Sequence, residues 1–243
     1  MTKAFERALV ASASAPYRSA GRFAWHFARS KLARDPVFRG LLSRGVIPDT
    51  QRLVDLGCGQ GLLASWLRSA RAMHEADHWP SEWPAPPRVG HVFGVDLLPK
   101  DIERARIALA GYGEFVQGDI CAAEFGNADV IVTLDVLHFI DYSRQLALLR
   151  RVRDALPASG LFVTRIGDAS AGLRFDLSRW VDSAVSSMRG YGASQSYCRS
   201  AADWAAILQG LGFDVETVPM SARTPFANAL LIARVARDAA PRG

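Results

Sequence analysis

Apolar residues in the first 48 positions recur at the three- and four-residue spacing of one helix face. Phe23, Phe27, Leu32 and Phe38 follow this spacing roughly, and Pro36 interrupts it. Spacing of this kind places apolar side chains on one side of a helix, while proline breaks a helix because it lacks an amide proton. We therefore predict an N-terminal helical segment with a break at Pro36.

After Pro48 the pattern changes to short apolar runs that alternate with stretches of helical periodicity. Runs such as DVIVTL and GLFVTRI are typical of parallel strands that are covered on both faces. Strands that alternate with helices predict an α/β fold built on a doubly wound sheet. The predicted strands are residues 53–56, 92–96, 114–117, 129–134, 161–166, 213–218 and 229–235. The predicted helices are residues 62–73, 99–110, 142–156, 175–188 and 201–211.

The change of pattern divides the chain into three parts. Residues 1–48 form the helical segment, which we expect to act as a lid and substrate-binding segment. Residues 49–236 form the α/β domain, and residues 237–243 form a frayed tail. Within the domain, four prolines in residues 76–90 predict a surface loop that lengthens the connection to the second strand.

Composition predicts a chain with a full hydrophobic core in a reducing compartment. The 243 residues are 49% hydrophobic and 22% charged, enough for a full core. Cys58, Cys121 and Cys198 are odd in number and far apart, which favours a reducing cytoplasm over a disulfide framework. No apolar run reaches the length of a transmembrane helix, so we expect no membrane-spanning segment.

One short motif has the spacing of a metal site, but its surroundings do not favour metal binding. The stretch HEADH, from His74 to His78, has the spacing of a zinc-protease motif. Zinc binding there needs both histidines on one face of a stable helix together with a third ligand. Because Trp79 and Pro80 follow at once, we expect no metal site.

Charge is distributed unevenly along the chain. Residues 1–52 contain ten Lys and Arg against three acids, whereas the remaining residues contain nineteen bases and twenty-one acids. The whole excess that gives the net charge of +5 therefore lies in the N-terminal segment. A solvated face of arginine-rich helices explains it, and so does an anionic partner such as an acidic carrier protein, a phosphorylated substrate or a membrane surface.

The stretch VDLGCGQG suggests a ligand site at the end of the first strand. Gly57, Gly59 and Gly61 can adopt positive φ and allow a ligand to approach the backbone. Their G-x-G-x-G spacing differs from the dinucleotide fingerprint, and no Gly-Lys-Ser/Thr of a P-loop follows. Asp55 lies just before the turn, where it favours a ligand with an ammonium group over a pyrophosphate. Asp96 ends the second strand, where a carboxylate can accept hydrogen bonds from ribose hydroxyls.

These motifs, with FVQGDI, ADVIVTLDVLHFID and LRRVRDALPASGLFVTRI, resemble those of class I S-adenosylmethionine-dependent methyltransferases. The resemblance extends from about residue 50 to residue 235. It implies a seven-stranded, mostly parallel sheet whose last strand is antiparallel. It also implies that the glycines line the methionine part of S-adenosylmethionine, with Asp55 near the amino group and Asp96 on the ribose.

The resemblance assigns the remaining cofactor contacts by position. Leu97 would flank the adenine, Asp119 would accept from the adenine amino group, and Ile120 would lie beside the ring. Leu134 and Asp135 would lie at the methyl donor. For these acids a capping or turn role is the alternative.

The acceptor side is less specific. His138 follows the fourth strand and is the candidate general base, with a packing or capping histidine as the alternative. Arg165 and Asp168 follow the fifth strand and are expected near the same pocket. Tyr17 and Arg22 of the N-terminal segment are expected to act as a lid.

The apolar aromatic content of the N-terminal helices and of RFDLSRWVDSAVSSM predicts a small acceptor that is hydrophobic or aromatic. No Asn/Asp-Pro-Pro-aromatic motif of nucleic-acid or protein amine methyltransferases follows the fourth strand, which disfavours those substrates. KLARDPVFRGLL and RTPFANALLIAR are similar to methyltransferases encoded with bacterial aryl-polyene pigment genes. That likeness implies secondary metabolism and an aromatic or polyene acid held on an acyl carrier protein. A nucleic-acid methyltransferase and a non-catalytic nucleotide-binding protein are the alternatives, and nucleic acid is the less favoured partner.

Overall fold

A computed structural model of the chain describes residues 2–167, 197–220 and 228–236. Within this part the chain forms seven strands, seven α-helices and two 3₁₀ turns at Ala15–Arg18 and Leu137–Phe139. The helices are α1 (Thr2–Ser14), α2 (Arg22–Arg34), α3 (Pro36–Ser43), α4 (Leu62–Glu75), α5 (Pro99–Ala108), α6 (Tyr142–Ala155) and α7 (Ala201–Gly210). The strands are β1 (Thr50–Leu56), β2 (Val89–Asp96), β3 (Gly113–Gln117), β4 (Val130–Leu134), β5 (Leu161–Gly167), β6 (Phe213–Pro219) and β7 (Asn228–Val235).

The strands form one sheet in the order β3-β2-β1-β4-β5-β7-β6. β1 pairs parallel with β2, and β2 pairs parallel with β3. The last strand in the chain, β7, lies between β5 and β6 and runs antiparallel to both. The predicted fold, a mostly parallel seven-stranded sheet with an antiparallel last strand, is confirmed. The predicted helix at residues 175–188 and the tail at 237–243 lie outside the described residues.

The chain divides into two compact units, Met1–Ile131 and Val132–Gly243. The first contains the helical segment, β1 to β3 and the start of β4. The second contains the end of β4 and everything after it. The predicted division at residue 48 stays a prediction.

In the first unit, one acid positions the start of β1. The Asp129 carboxylate accepts hydrogen bonds from the backbone amides of Gln51 and Arg52 and from the Thr50 hydroxyl. These contacts, the Arg52 amide first, lower the pKa of Asp129. Asp129 therefore fixes the beginning of the strand whose far end carries the glycine loop.

The N-terminal helices pack on α4. The Ser65 hydroxyl donates to the carbonyl of Ala13 at 2.7 Å, and the Trp66 indole donates to the carbonyl of Phe38 at 2.8 Å. Both donor side chains are buried. Pro36 is the first residue of α3, and Asp35 caps that helix through the amide of Val37, so the predicted break lies where expected.

The proline-rich connection between α4 and β2 has no regular structure, and it also forms an aromatic cluster. Trp79 and Trp83 both pack edge-to-face on Phe5 of α1, with ring centroids 5.3 and 5.5 Å away. The Arg39 guanidinium lies over the Trp83 ring. The loop therefore covers the outer side of the N-terminal segment, a contact that the sequence pattern did not indicate.

In the second unit, helix ends are capped by side chains near the turn that follows β4. The Asp141 carboxylate accepts from the amides of Ser143 and Arg144 at the start of α6. Ser200 and Asp203 form a reciprocal capping box at the start of α7. These caps satisfy backbone donors that a helix leaves unpaired, and they fix where each helix begins.

Two features bear on membranes and metals. None of the helices in the described part has the length and apolar character needed to cross a membrane. Helix α4 ends at Glu75 and Asp77 has a positive φ, so His74 and His78 do not share a helix face. Among the described residues no group of His, Cys, Asp and Glu is placed to hold a metal ion.

Candidate functional site

The glycine loop between β1 and α4 depends on left-handed backbone geometry. Gly57, Gly59 and Gly61 have φ of 84°, 54° and 77°. A Cβ on Gly61 would lie 2.6 Å from a methyl carbon of Leu109, so this position also lacks room for a side chain. The sequence uses glycine here for both reasons.

The loop is held against the end of β2. The amides of Gly57 and Cys58 both donate to the carbonyl of Val95, at 2.7 and 3.0 Å. The amide of Gly59 donates to Asp96 Oδ2 at 2.8 Å, and the amide of Leu98 donates to Asp96 Oδ1 at 2.9 Å. Asp96 is thus buried and oriented by the backbone on both sides.

Asp55, at the end of β1, is the most unusual group of this region. Its side chain is 4% exposed, and no described residue donates a hydrogen bond or an ion pair to it. Burial, and then the nearby charge of Asp96, raise the pKa of Asp55 from 3.8 to about 7. Both acids also add to the effect of burial in raising the pKa of the Cys58 thiol. The end of β1 therefore carries a buried acid to which the described part of the chain supplies no counter-charge.

The N-terminal segment holds this loop directly. The Tyr17 hydroxyl donates to the carbonyl of Gln60 at 2.9 Å, and the Gln60 side-chain amide donates to the carbonyl of Ala24 at 3.0 Å. Tyr17 is fully buried, and burial raises its pKa well above the usual range. Its hydroxyl is therefore bonded to the glycine loop rather than placed for an acceptor, whereas Arg22 is exposed. Sequence reasoning missed this connection, because nothing in the pattern pairs positions 17 and 60.

The other residues expected around the adenine lie nearby in the chain and in the same unit. Leu97 is 52% exposed, which is unusual for a large apolar side chain that follows a buried strand. Asp119 follows β3, is exposed, and accepts a hydrogen bond from the amide of Cys121 at 2.9 Å. Ile120 is buried. Their roles toward a nucleoside stay predictions.

The residues expected at the methyl donor and acceptor belong to the second unit. Leu134 is half-buried at the end of β4. Asp135 follows with φ of 61°, a left-handed conformation that is uncommon outside glycine. Both of its carboxylate oxygens accept from the Arg165 guanidinium, one of them from Nε at 2.6 Å. Arg165 is 3% exposed, so this is a largely buried and charge-balanced pair.

His138 lies on the 3₁₀ turn after β4. Burial lowers its pKa, the nearby Arg165 charge lowers it further, and Asp135 opposes both. Within the described part of the chain its Nε2 is buried and has no hydrogen-bond partner. A neutral imidazole with one open ring nitrogen is the form in which histidine accepts a proton. Asp168, also expected on this side, lies outside the described residues.

Gln145 fixes the turn that carries His138. This buried side chain donates to the carbonyls of Leu137, Ile140 and Tyr197, at 2.9 to 3.0 Å. The amide of Tyr197 in turn donates to the carbonyl of His138. The turn is therefore tied to α6 and to the segment before α7 by one side chain, which the sequence did not single out.

Comparison with known proteins identifies the family of the chain and relates its fold to solved structures. The sequence profile of a family described as "Methyltransferase domain" matches residues 24–218. Curated relatives named carboxy-S-adenosyl-L-methionine synthase, from Aeromonas salmonicida and Aeromonas hydrophila, are 29% and 30% identical over 129 residues, or 51% of this chain. The matched part spans about half the length of those relatives, 47% and 46%.

Solved structures share the fold at low sequence identity. An O-methyltransferase family protein from Burkholderia thailandensis is 18% identical, with a TM-score of 0.60 over 91% of this chain and 62% of its own. Magnesium protoporphyrin IX methyltransferase from Synechocystis, with bound SAH, is 19% identical, with a TM-score of 0.56 over 88% of each chain.

Proposed function

Because the chain belongs to the methyltransferase domain family and has the fold of S-adenosylmethionine-dependent methyltransferases, we propose that it transfers a methyl group from S-adenosylmethionine to a small hydrophobic or aromatic acceptor. We further propose that the acceptor is presented by an acidic carrier protein. The class of enzyme follows from the family. The acceptor and its carrier are the finer part of the proposal.

One observation carries the cofactor assignment: a buried acid without an internal counter-charge. Asp55 is unpaired among the described residues, lies beside Asp96, and has its pKa raised to about 7. A ligand that brings positive charge to this point would relieve the penalty of keeping both carboxylates ionised. S-Adenosylmethionine carries an ammonium group and a sulfonium, whereas a dinucleotide would bring phosphate charge of the wrong sign.

The rest of the loop fits the same ligand. The side-chain-free edge at Gly57, Gly59 and Gly61 allows close backbone approach. Asp96 is buried and oriented by two backbone amides, and we propose that its carboxylate accepts hydrogen bonds from the ribose hydroxyls. Exposed Leu97 offers an apolar surface for the adenine, and Asp119 and Ile120 are the further adenine contacts that we propose.

When bound, the cofactor supplies a methyl group already activated by a positively charged sulfur. The chain's task is then to align acceptor and methyl carbon, and orientation of this kind contributes up to about 7–11 kcal/mol in favourable systems. His138 is the proposed base for an acceptor that must lose a proton, and burial keeps it neutral and ready to accept one. Asp135, tied to Arg165, is proposed to support this side of the reaction by orienting the end of β4, where Leu134 would lie beside the methyl donor.

Calorimetric titration tests the cofactor assignment. We expect S-adenosylmethionine to bind and nicotinamide dinucleotides not to bind. Asp96→Ala should weaken binding by about 1–3 kcal/mol, the scale of a lost hydrogen bond to a charged group. Asp154→Asn, an exposed acid of α6, serves as the control and should leave affinity unchanged. Equal affinity in wild type and Asp96→Ala would remove Asp96 from the site.

Transfer itself is tested with a donor whose methyl group is isotopically labelled. Mass spectrometry of small-molecule and carrier-protein fractions should reveal one acceptor that gains a labelled methyl group only when the enzyme and the donor are both present. His138→Ala should lower turnover and leave donor affinity nearly intact. Full turnover in this variant would make His138 a packing residue.

The matched relatives give a second candidate, the conversion of S-adenosylmethionine itself to its carboxy derivative. It is favoured by 30% identity over 129 residues to a carboxy-S-adenosyl-L-methionine synthase, although the match spans about half of that relative. The same mass spectrometry separates the candidates. Methyl transfer marks an acceptor, whereas synthase activity, with a carboxylic acid present as the carboxyl donor, replaces a hydrogen of the nucleoside by a carboxyl group and adds the mass of CO₂.

A further inference from the structure

The outer side of α2 and the turn before it is basic and has no acidic residue of its own. Between Glu6 and Asp35 the sequence contains no acid, but it contains five arginine and lysine residues beyond Arg7. Four arginines and a histidine of this stretch are exposed, and we call them the basic face: Arg18, Arg22, His26, Arg29 and Arg34.

Helical spacing concentrates these charges. Arg22, His26 and Arg29 are four and three residues apart, which places them in one stripe along α2. Among the described residues none of the four arginines has an ion pair. Lys31 differs, because it pairs with Asp35 at 2.8 Å. The basic face therefore has no partner within the described part of its own chain.

Aromatic rings lie among these arginines, and guanidinium groups of the chain lie over them. The guanidinium groups of Arg18 and Arg29 lie over the Trp25 ring, 5.2 and 5.8 Å from its centroid. Phe23 is 61% exposed, stacks on Phe27, and has the Arg104 guanidinium over it at 4.8 Å. The rings are thus already in cation–π contact with arginines of the same chain, which restricts the orientation of those guanidinium groups.

This arrangement favours a protein over the other anionic partners. Single-stranded nucleic acid needs open aromatic faces for base stacking. Membrane insertion needs a broad apolar side, whereas the exposed side of α2 offers one large apolar side chain, Phe23. Arginines held in a fixed orientation around one apolar ring suit carboxylates of a folded acidic surface.

We propose that the basic face docks an acidic carrier protein that presents the acceptor. This proposal deepens the proposed function and rests on it. The inner side of the same helix is bonded to the glycine loop through the carbonyl of Ala24 and the side chain of Gln60. Docking on α2 would therefore take place on the element that also supports the cofactor loop.

The test is binding of the full chain to purified bacterial holo-acyl carrier protein, measured by titration at low and high salt. We expect binding that weakens steeply with salt, and an affinity loss of about 10- to 100-fold in Arg22→Glu/Arg29→Glu, since like charges then face each other. The control is Arg150→Glu/Arg234→Glu, which makes the same change of net charge at two other exposed arginines and should bind like wild type.

Two further probes complete the experiment: a single-stranded RNA and vesicles with anionic lipids. Binding of either probe, lost in Arg22→Glu/Arg29→Glu, overturns the proposal in favour of that partner. Absence of carrier-protein binding, or equal loss in the control variant, also overturns it. S-Adenosylmethionine affinity is measured separately for every variant, so that a failed cofactor assignment is distinguished from a failed docking surface.

Discussion

Two aspartates, one near the end of β1 and one directly after β4, have opposite electrostatic surroundings. Asp55, the residue before the last in β1, is buried near another acid and receives no hydrogen bond from a described residue. Asp135, after β4, is bound through both oxygens to Arg165. Among the described residues the first acid has no counter-charge, whereas the second is paired with an arginine. This difference supports the proposal that Asp55 faces a positively charged ligand and that Asp135 holds the end of β4 in place.

The largest expected effect is a stability gain from Asp55→Asn. Because the folded-state pKa of about 7 lies above the unfolded value of 3.8, the folded protein retains a proton that the unfolded chain loses. Stability from this group is therefore fully present below pH 3.8 and is lost as the pH rises to about 7, at about 1.4 kcal/mol per pKa unit.

At pH 8 the free energy of unfolding of Asp55→Asn should therefore exceed that of wild type by up to about 4 kcal/mol. Near pH 4 the two free energies of unfolding should be almost equal. Denaturant unfolding at both pH values measures this. The variant should at the same time lose affinity for S-adenosylmethionine. A variant no more stable than wild type at pH 8 would mean that Asp55 has a counter-charge.

The same substitution at the other acid should lower the free energy of unfolding instead of raising it. Asp135→Asn keeps a residue that tolerates positive φ but leaves the Arg165 guanidinium without its carboxylate. We expect the free energy of unfolding to fall by about 3 kcal/mol. This is the low end of the range for breaking a buried ion pair, because Asp135 is 32% exposed. Asp135→Asn/Arg165→Met should recover most of that loss in the same unfolding assay. If both Asp55→Asn and Asp135→Asn destabilise, the contrast between the two acids is wrong.

A smaller effect separates backbone strain from packing in the glycine loop. Gly61→Ala adds a methyl group 2.6 Å from Leu109 at a positive φ, and it should cost about 2–3 kcal/mol. Gly111→Ala is the matched control, since its φ is also positive and nothing lies within 4 Å of the new carbon. It should cost about 1 kcal/mol. Equal losses in thermal unfolding would show that Leu109 moves away without cost.

The smallest effect concerns the turn that carries His138. Gln145→Ala removes the donor to three carbonyls and should cost about 1–2 kcal/mol. As water reaches the turn, the pKa of His138 should rise toward its ordinary value of 6.5, because burial is the main cause of its lowering. An NMR titration of the imidazole follows this, with exposed Gln209→Ala as the control. An unchanged pKa in Gln145→Ala would restrict Gln145 to a structural role.

Local features of the fold were predictable from the sequence. The apolar run that ends at Leu56, the glycines after it and Pro36 predicted strands, loop and helix break close to where they lie, because each signal is local. The acids Asp55 and Asp96 were also found, since strand ends of a parallel sheet meet at one edge.

Side-chain partners were not predictable. The bond from Tyr17 to Gln60, the pair of Asp135 with Arg165 and the three contacts of Gln145 join positions far apart in the chain, and no periodicity encodes them. The aromatic cluster around Trp83 was missed for the same reason. Prolines indicated an irregular loop correctly, but they do not indicate which surface such a loop covers.

The hydrogen bonds of Gln60 have a consequence for recombination between relatives. A chimaera that exchanged the first 48 residues to alter acceptor choice would also exchange both hydrogen-bond partners of Gln60. These are the Tyr17 hydroxyl, which donates to its backbone carbonyl, and the Ala24 carbonyl, which accepts from its side chain. Acceptor preference and donor affinity would then change together. Inheritance of this segment as an independent module would therefore require a compatible residue 60 in the recipient.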